Sequence, residues 1–281
     1  MRKIVRILLP VLFSLLLAMP AGAVPVAENQ EIQTYRGVSV GGQLCAATPD
    51  GGGVSYTLTT YPCKGSVELQ EDGSFVYTPQ ENRRGRDYFG YRAVDAEGNV
   101  SQEAVVIIRL LRRRQSERYE DTAGLRCDYA AHALAERGLM QGQTLAGHTL
   151  FEPERNMSRG EFLVLAMESA HRSPLSAVLR SGYEDDGEMA PWLKPYATTA
   201  RFDGYVTEGS CRANEPITVR EAAELVNAVF VLTDAPAREG EEQSAANLRQ
   251  CGVWDSPVED VPLTRGEAAM LLIRTVEMLE R

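Results

Sequence analysis

Histidine is scarce in this sequence of 281 residues: there are three, and His132, His148 and His171 share no metal-ligand spacing with one another or with cysteine. The usual zinc sites are therefore excluded. A nucleophile elbow, a phosphate-cradling glycine loop and a zincin helix are also absent. Cys127 and His132 stand five positions apart, off a common helical face, and so do not suggest a cysteine nucleophile with its base. The expectation is a protein that is not an enzyme and carries no cofactor or metal.

Positive charge is in short supply as well. Against 39 acidic side chains there are 29 basic ones, a formal net charge of -10. Nucleic acid is excluded as a partner, because binding through counterion release needs clustered Lys and Arg. Long apolar runs are missing but for one, Ile7 to Met19, which is too short for the roughly 20 residues of a spanning helix. Arg2, Lys3 and Arg6 precede it and Ala21-Gly22-Ala23 follows it, the layout of a cleaved secretory signal over residues 1–23. The chain is expected to be exported, with no membrane span after cleavage.

Cysteines are few and odd in number, five in all. Outside a reducing cytosol they allow two pairs at most. Cys45 and Cys63 share one β-rich segment and are the disulfide candidate; the alternative is two thiols buried as small hydrophobes.

What is present divides near residue 112. From residue 30 to 112 the pattern is β: Val54 to Leu58, Val67 to Leu69, Phe75 to Tyr77 and Phe89 to Tyr91 alternate, and Ala104 to Leu110 is apolar and β-branched. Asp50-Gly51-Gly52-Gly53, Glu71-Asp72-Gly73 and Glu97-Gly98-Asn99 mark turns between them. Short strands at such intervals predict an antiparallel sandwich. Its expected core is Leu44, Tyr56, Leu58, Val67, Leu69, Phe75, Tyr77, Phe89, Tyr91, Val94, Val106 and Ile108. The order Gly42-Gln-Leu44, Gly65-Ser-Val67, Asp72-Gly73-Ser-Phe75-Val-Tyr77 and Asp87-Tyr-Phe89-Gly-Tyr91 resembles the cadherin-like or Ig-like repeats of bacterial surface proteins, which serve as spacers and adhesion modules. Some of these bind calcium, for which Asp87, Asp95 and Glu97 offer oxygens; turn-capping explains the three better. Residues 113–118, rich in arginine, are expected to be a solvated linker.

The remainder carries an internal repeat. Tyr119-Glu120-Asp121 recurs as Tyr183-Glu184-Asp185. Three helical stretches run into Gly138, Gly204 and Gly252, and each is followed by a second helix with a common start: Ser158-Arg159-Gly160-Glu161, Thr218-Val219-Arg220-Glu221 and Thr264-Arg265-Gly266-Glu267. Ser or Thr with Glu three positions on is a capping box. Capping does not explain the arginines, since a cation at a helix start opposes the macrodipole. Two explanations stand: an ion pair with a nearby carboxylate, or an anionic ligand held by free helix-start amides and a forked guanidinium.

The motifs Tyr119-Glu-Asp121, Leu150-Phe151-Glu-Pro153 and Met157-Ser-Arg159-Gly-Glu161, with their later counterparts, resemble S-layer homology (SLH) repeats: 119–172, 183–232 and a degenerate 245–281. The resemblance implies an all-β Ig-like sandwich followed by an all-α, pseudo-threefold SLH domain. It also implies non-covalent anchorage of a secreted protein to the Gram-positive cell wall through an anionic, often pyruvylated, secondary wall polysaccharide. The family's glycan-contacting positions fall on Asp121, Asp185, Trp192, Arg159 and Arg265, with Arg220 displaced by one position. Arg126 stands where the first copy should have tryptophan, and Cys211 stands in the place matched by Phe151. The alternative is a degenerate repeat that binds other envelope proteins instead of glycan.

Overall fold

The computed structural model describes residues 24–48, 52–114, 118–206, 209–237, 240–254 and 257–280; the signal-like segment 1–23 lies outside them. Nine strands form the first half: β1 (Val26–Ala27), β2 (Gln30–Tyr35), β3 (Val40–Gln43), β4 (Ala46–Ala47), β5 (Val54–Thr60), β6 (Gly65–Leu69), β7 (Ser74–Pro79), β8 (Gly85–Asp95) and β9 (Ala104–Leu111). One sheet has the order β2-β9-β8-β5 and the other β3-β7-β6, with β1 and β4 paired at the side. All pairings are antiparallel except β2 with β9.

Period-two alternation puts one row of each strand inside. Phe75 of β7 meets Phe89 of β8 edge to face at 5.2 Å, which joins the two sheets. Leu44, Phe75, Tyr77, Phe89, Tyr91, Val106 and Ile108 are buried as expected, whereas Tyr56, Leu58, Val67 and Leu69 pack on the core from partly exposed positions. Full burial of such side chains contributes about 1.5–3 kcal/mol each. Asp87 lies inside the sandwich and accepts from Tyr77 Oη (2.8 Å), Cys63 N (3.0 Å) and Lys64 N (2.8 Å). Asp95 accepts from the amide and side chain of Asn99 across a turn. Both carboxylates are thus engaged in shaping loops.

All five cysteines are free thiols, Cys45 and Cys63 included. Cys45 follows β3 at the Ser74 end of β7, and Cys63 precedes β6 at its Pro79 end. A six-residue strand at ~3.3 Å per residue separates them by roughly 20 Å, far beyond the ~7 Å limit between bridged Cα atoms.

Six helices build the second half: α1 (Asp128–Glu136), α2 (Arg159–Ser169), α3 (Lys194–Phe202), α4 (Val219–Phe230), α5 (Gln243–Gln250) and α6 (Arg265–Leu279). A hairpin, β10 (Gln143–Leu145) and β11 (His148–Leu150), decorates the first copy. All three capping boxes form in full, on Ser158, Thr218 and Thr264. Ala222, Leu225, Val226 and Val229 of α4 and Ala268, Leu271, Leu272 and Val276 of α6 are buried, as are Phe162 and Ala166 of α2.

The three copies are joined in a ring of backbone hydrogen bonds. Ile217 N donates to Met157 O (2.9 Å), Leu263 N to Ile217 O (2.8 Å), and Met157 N to Leu263 O (2.9 Å). Two positions further on, Arg159 N, Val219 N and Arg265 N donate to Glu215 O, Val261 O and Arg155 O of the neighbouring copy. The arrangement is therefore cyclic in its contacts.

The two halves are docked together. Gly41 N of β3 donates to Arg126 O (3.1 Å), Tyr129 N to Ser39 O (3.0 Å) and Ser39 N to Asp128 Oδ2 (3.0 Å). Arg274 Nη2 of α6 donates to Gly41 O (3.1 Å). Tyr129 stacks on Tyr35 at 5.3 Å, and its hydroxyl donates to Glu277 (2.5 Å) while accepting from Gln33 (3.0 Å). Burial and then the Glu277 charge hold the Tyr129 phenol far above its ordinary pKa. Only glycine fits at position 41, where an added Cβ would stand 2.5 Å from Arg126 Cβ. The segment 113–118 thus joins two halves in direct contact; its residues 115–117 lie outside the described ones.

Candidate functional site between the helical copies

Each helix start reaches over the loop of the next copy. In the first junction, α6 meets the loop after β11. Asp121 accepts from Phe151 N (2.8 Å) and Glu152 N (2.6 Å), which pins Glu152 at φ 60. Such left-handed backbone costs a non-glycine residue about 1 kcal/mol, offset here by charge-assisted bonds. Arg265 donates from Nε to Phe151 O (2.8 Å) and from Nη2 to Gln141 O (2.7 Å), with its guanidinium 4.7 Å above the centre of the Phe151 ring. Among the described residues no carboxylate pairs with it. Desolvation, then the neighbouring Arg155, lowers its pKa.

The second junction repeats this geometry with different charge. Asp185 accepts from Cys211 N (2.9 Å) and Arg212 N (2.8 Å), holding Arg212 at φ 50. Desolvation opposes ionisation of Asp185, but the two amides outweigh it and its carboxyl stays below the ordinary range. Arg159 Nε donates to Cys211 O (3.2 Å), and its guanidinium is ion-paired with Glu221. Trp192 sits in the turn before α3, 57% exposed, while Leu193 beside it packs on Gly160 at the start of α2. A cavity of about 120 Å³ between Arg159, Tyr205, Cys211 and Glu221 completes this junction.

In the third junction Arg220 is taken up by two carboxylates, Asp260 (2.9 Å) and Glu242. The six sequence-derived positions thus fall into three places: Asp121 with Arg265, Asp185 with Arg159 beside Trp192, and Arg220 alone.

One expectation needs correction. The amides at the helix starts are not open to an anion. Those of the first two turn positions bond the neighbouring copy, Gly160 N to Ala213 O (2.9 Å), Arg220 N to Glu259 O (3.1 Å) and Gly266 N to Pro153 O (2.8 Å). The third is taken by the capping hydroxyl. Ion pairs take up Arg159 and Arg220, whereas Arg265 has carbonyls and a ring as its partners.

Arg126 explains the missing tryptophan of the first copy. It packs against β3, with Nη2 3.4 Å from Gly42 O, so the position serves docking to the sandwich. Sequence reasoning missed this surface altogether: Asp128, Tyr129, Arg274 and Glu277 carry no motif. The one available signal was Gly41-Gly42 inside a strand, a mark of close backbone approach. Burial, then the Asp128 charge, pushes the Cys127 thiol up to about 12.

No helix among the described residues is long and apolar enough to cross a membrane. No curated protein matches the chain. Among solved structures, the D00-D0 domain of intimin is 15% identical over 33% of this chain and 50% of its own, with a TM-score of 0.27. The SrpA adhesin of Streptococcus sanguinis is 18% identical over 35% of this chain and 63% of its own, at 0.26. The fibronectin(III)-like modules of Clostridium thermocellum CbhA are 14% identical over 32% of this chain and all of their own, at 0.19. The chain spans less than two thirds of the first two. Residues 23–108, the stretch that folds as the sandwich, match the model of the bacterial Ig domain family.

Proposed function

We propose that this is an exported, non-enzymatic bacterial surface protein whose helical repeat binds an anionic wall polysaccharide and so anchors the Ig-like module at the cell wall. The observation that carries this reading is Arg265. It is a guanidinium at the junction of two copies, near Arg155, with no carboxylate partner among the described residues. An anion there would gain the charge-assisted bonds that Glu221 already supplies to Arg159. Trp192, exposed at the neighbouring junction, offers a face for a sugar ring. The role of the SLH-like copies is thus divided between two junctions, one with the available cation and one with the aromatic.

The test is co-sedimentation of the intact chain with purified cell walls. The chain pellets with native walls and stays in solution with walls stripped of secondary polysaccharide; equal pelleting on both would refute the anchoring. A second reading, in which the repeat binds other envelope proteins, is favoured by two exposed apolar side chains, Phe202 at the end of α3 (83% exposed) and Leu179 (88% exposed). It is supported if pelleting depends on wall protein and not on polysaccharide.

A further inference from the structure

A cleft of about 340 Å³ lies where the sandwich meets the helical half. One wall is made by the edge strands β2 and β3, among them the side-chain-free stretch Gly41-Gly42; the other is made by Arg126 and α6. Clefts of this size between domains are common sites for small molecules. Its lining is mixed. Met270, Ile273 and Met278 give it an apolar side, and Arg126 and Arg274 give it charge.

The charges are unevenly satisfied. Glu31 is paired with Arg109 at 2.5 Å and Arg86 at 3.8 Å, and Glu277 accepts from Tyr129 at 2.5 Å. Arg274 donates to Gly41 O across the interface and to Val253 O within the helical half. Glu28 lies on the sandwich side, ahead of β2. Arg126 belongs to the helical half and has a single weak contact, Gly42 O at 3.4 Å, while its buried Nε has no acceptor among the described residues. Asp72, whose carboxyl it helps Ser74 to hold below the ordinary range, feels its charge, but among the described residues no carboxylate makes an ion pair with Arg126, and part-buried guanidinium groups left so open are uncommon.

We infer that this interdomain cleft binds a small organic carboxylate with an aliphatic body, the carboxylate on Arg126 and the body on Met270, Ile273 and Met278. Guanidinium and carboxylate match as a planar, two-point pair. The site is separate from the junctions proposed for the wall polymer, so its occupancy and wall binding can fail independently.

The experiment uses the intact protein with methyl-¹³C methionine and N-acetyl-leucine as the probe. The Met270 and Met278 methyl signals shift saturably at low-millimolar probe, and N-acetyl-leucinamide, which lacks the charge, binds at least tenfold more weakly. Arg126→Gln weakens binding at least tenfold. Because that change touches the domain interface, Met270→Phe, which fills the cleft from the helical side, serves as the second variant and also removes binding, with circular dichroism confirming a native fold. Unsaturable shifts, equal binding of the amide, or undiminished binding by either folded variant overturns the site.

Discussion

Arg265 and Phe151 lie 114 positions apart in sequence, yet the guanidinium rests 4.7 Å above the ring and its Nε donates to the Phe151 carbonyl. The first and third copies are closed on one another by this pair. Arg159 makes the equivalent carbonyl bond to Cys211, where no ring is available, and takes Glu221 as its counter-ion instead.

The two arginines should therefore differ in binding. Arg265→Ala is expected to weaken wall-polysaccharide binding by about tenfold, corresponding to ~1.5 kcal/mol for a lost charge-assisted bond. Arg159→Ala, already neutralised by Glu221, should change binding less than threefold. Titration of both variants with solubilised polysaccharide decides this, and a reversed order would move the anion to the second junction.

The domain interface predicts a thermodynamic signature. Gly41→Val places side-chain atoms into Arg126 and should cost about 1–3 kcal/mol through overpacking. In calorimetry the wild type should unfold with the two halves coupled, and the variant should show the sandwich and helical transitions drawn apart. Coincident, unshifted transitions would show the docking to be incidental.

Each capping box should contribute measurably. Ser158→Ala, Thr218→Ala and Thr264→Ala each remove a hydroxyl that accepts from the third helical amide, at a cost of about 1 kcal/mol. Urea unfolding with an unchanged m-value is the check.

Acid stability should depend in part on Asp185. Its folded-state pKa lies below the ordinary carboxylate value, so its ionised form stabilises the fold fully above roughly pH 4 and the contribution is lost as pH falls through the depressed folded value. Asp185→Asn should be less stable than wild type at pH 7, with the gap in Tm closing between pH 4 and pH 2. A gap that persists unchanged at pH 2 argues against loop-pinning by the carboxylate.

Thiol chemistry should separate the cysteines. Cys63 is exposed, whereas Cys127 and Cys211 are buried and the Cys127 thiol is pushed up to about 12. Iodoacetamide at pH 8 should modify Cys63 in the native protein and Cys127 only after unfolding, as mass spectrometry of digests will show.

Local pattern carried much of the architecture. Alternation marked β7 and β8, an apolar β-branched run marked β9, and the Ser/Thr-x-x-Glu boxes located α2, α4 and α6 to the residue, because strand and cap signals depend on neighbours only a few positions away. What was hidden depends on pairs far apart. Nothing near Arg126 announces that its carbonyl meets Gly41, and nothing near Gly160 announces that its amide is taken by Ala213. Equally hidden is the part Asp121 and Asp185, glycan contacts by the resemblance, play in holding backbone amides of their own copies.

The ring of backbone bonds bears on how such a repeat can change. Met157, Ile217 and Leu263 each donate to one neighbour and accept from the other, so a chain with two copies would be left with one amide and one carbonyl stranded at an open seam. The third copy, degenerate as it is, is therefore not dispensable. Selection on that copy acts on the few residues that complete the circuit, which leaves the rest of its surface at liberty to diverge.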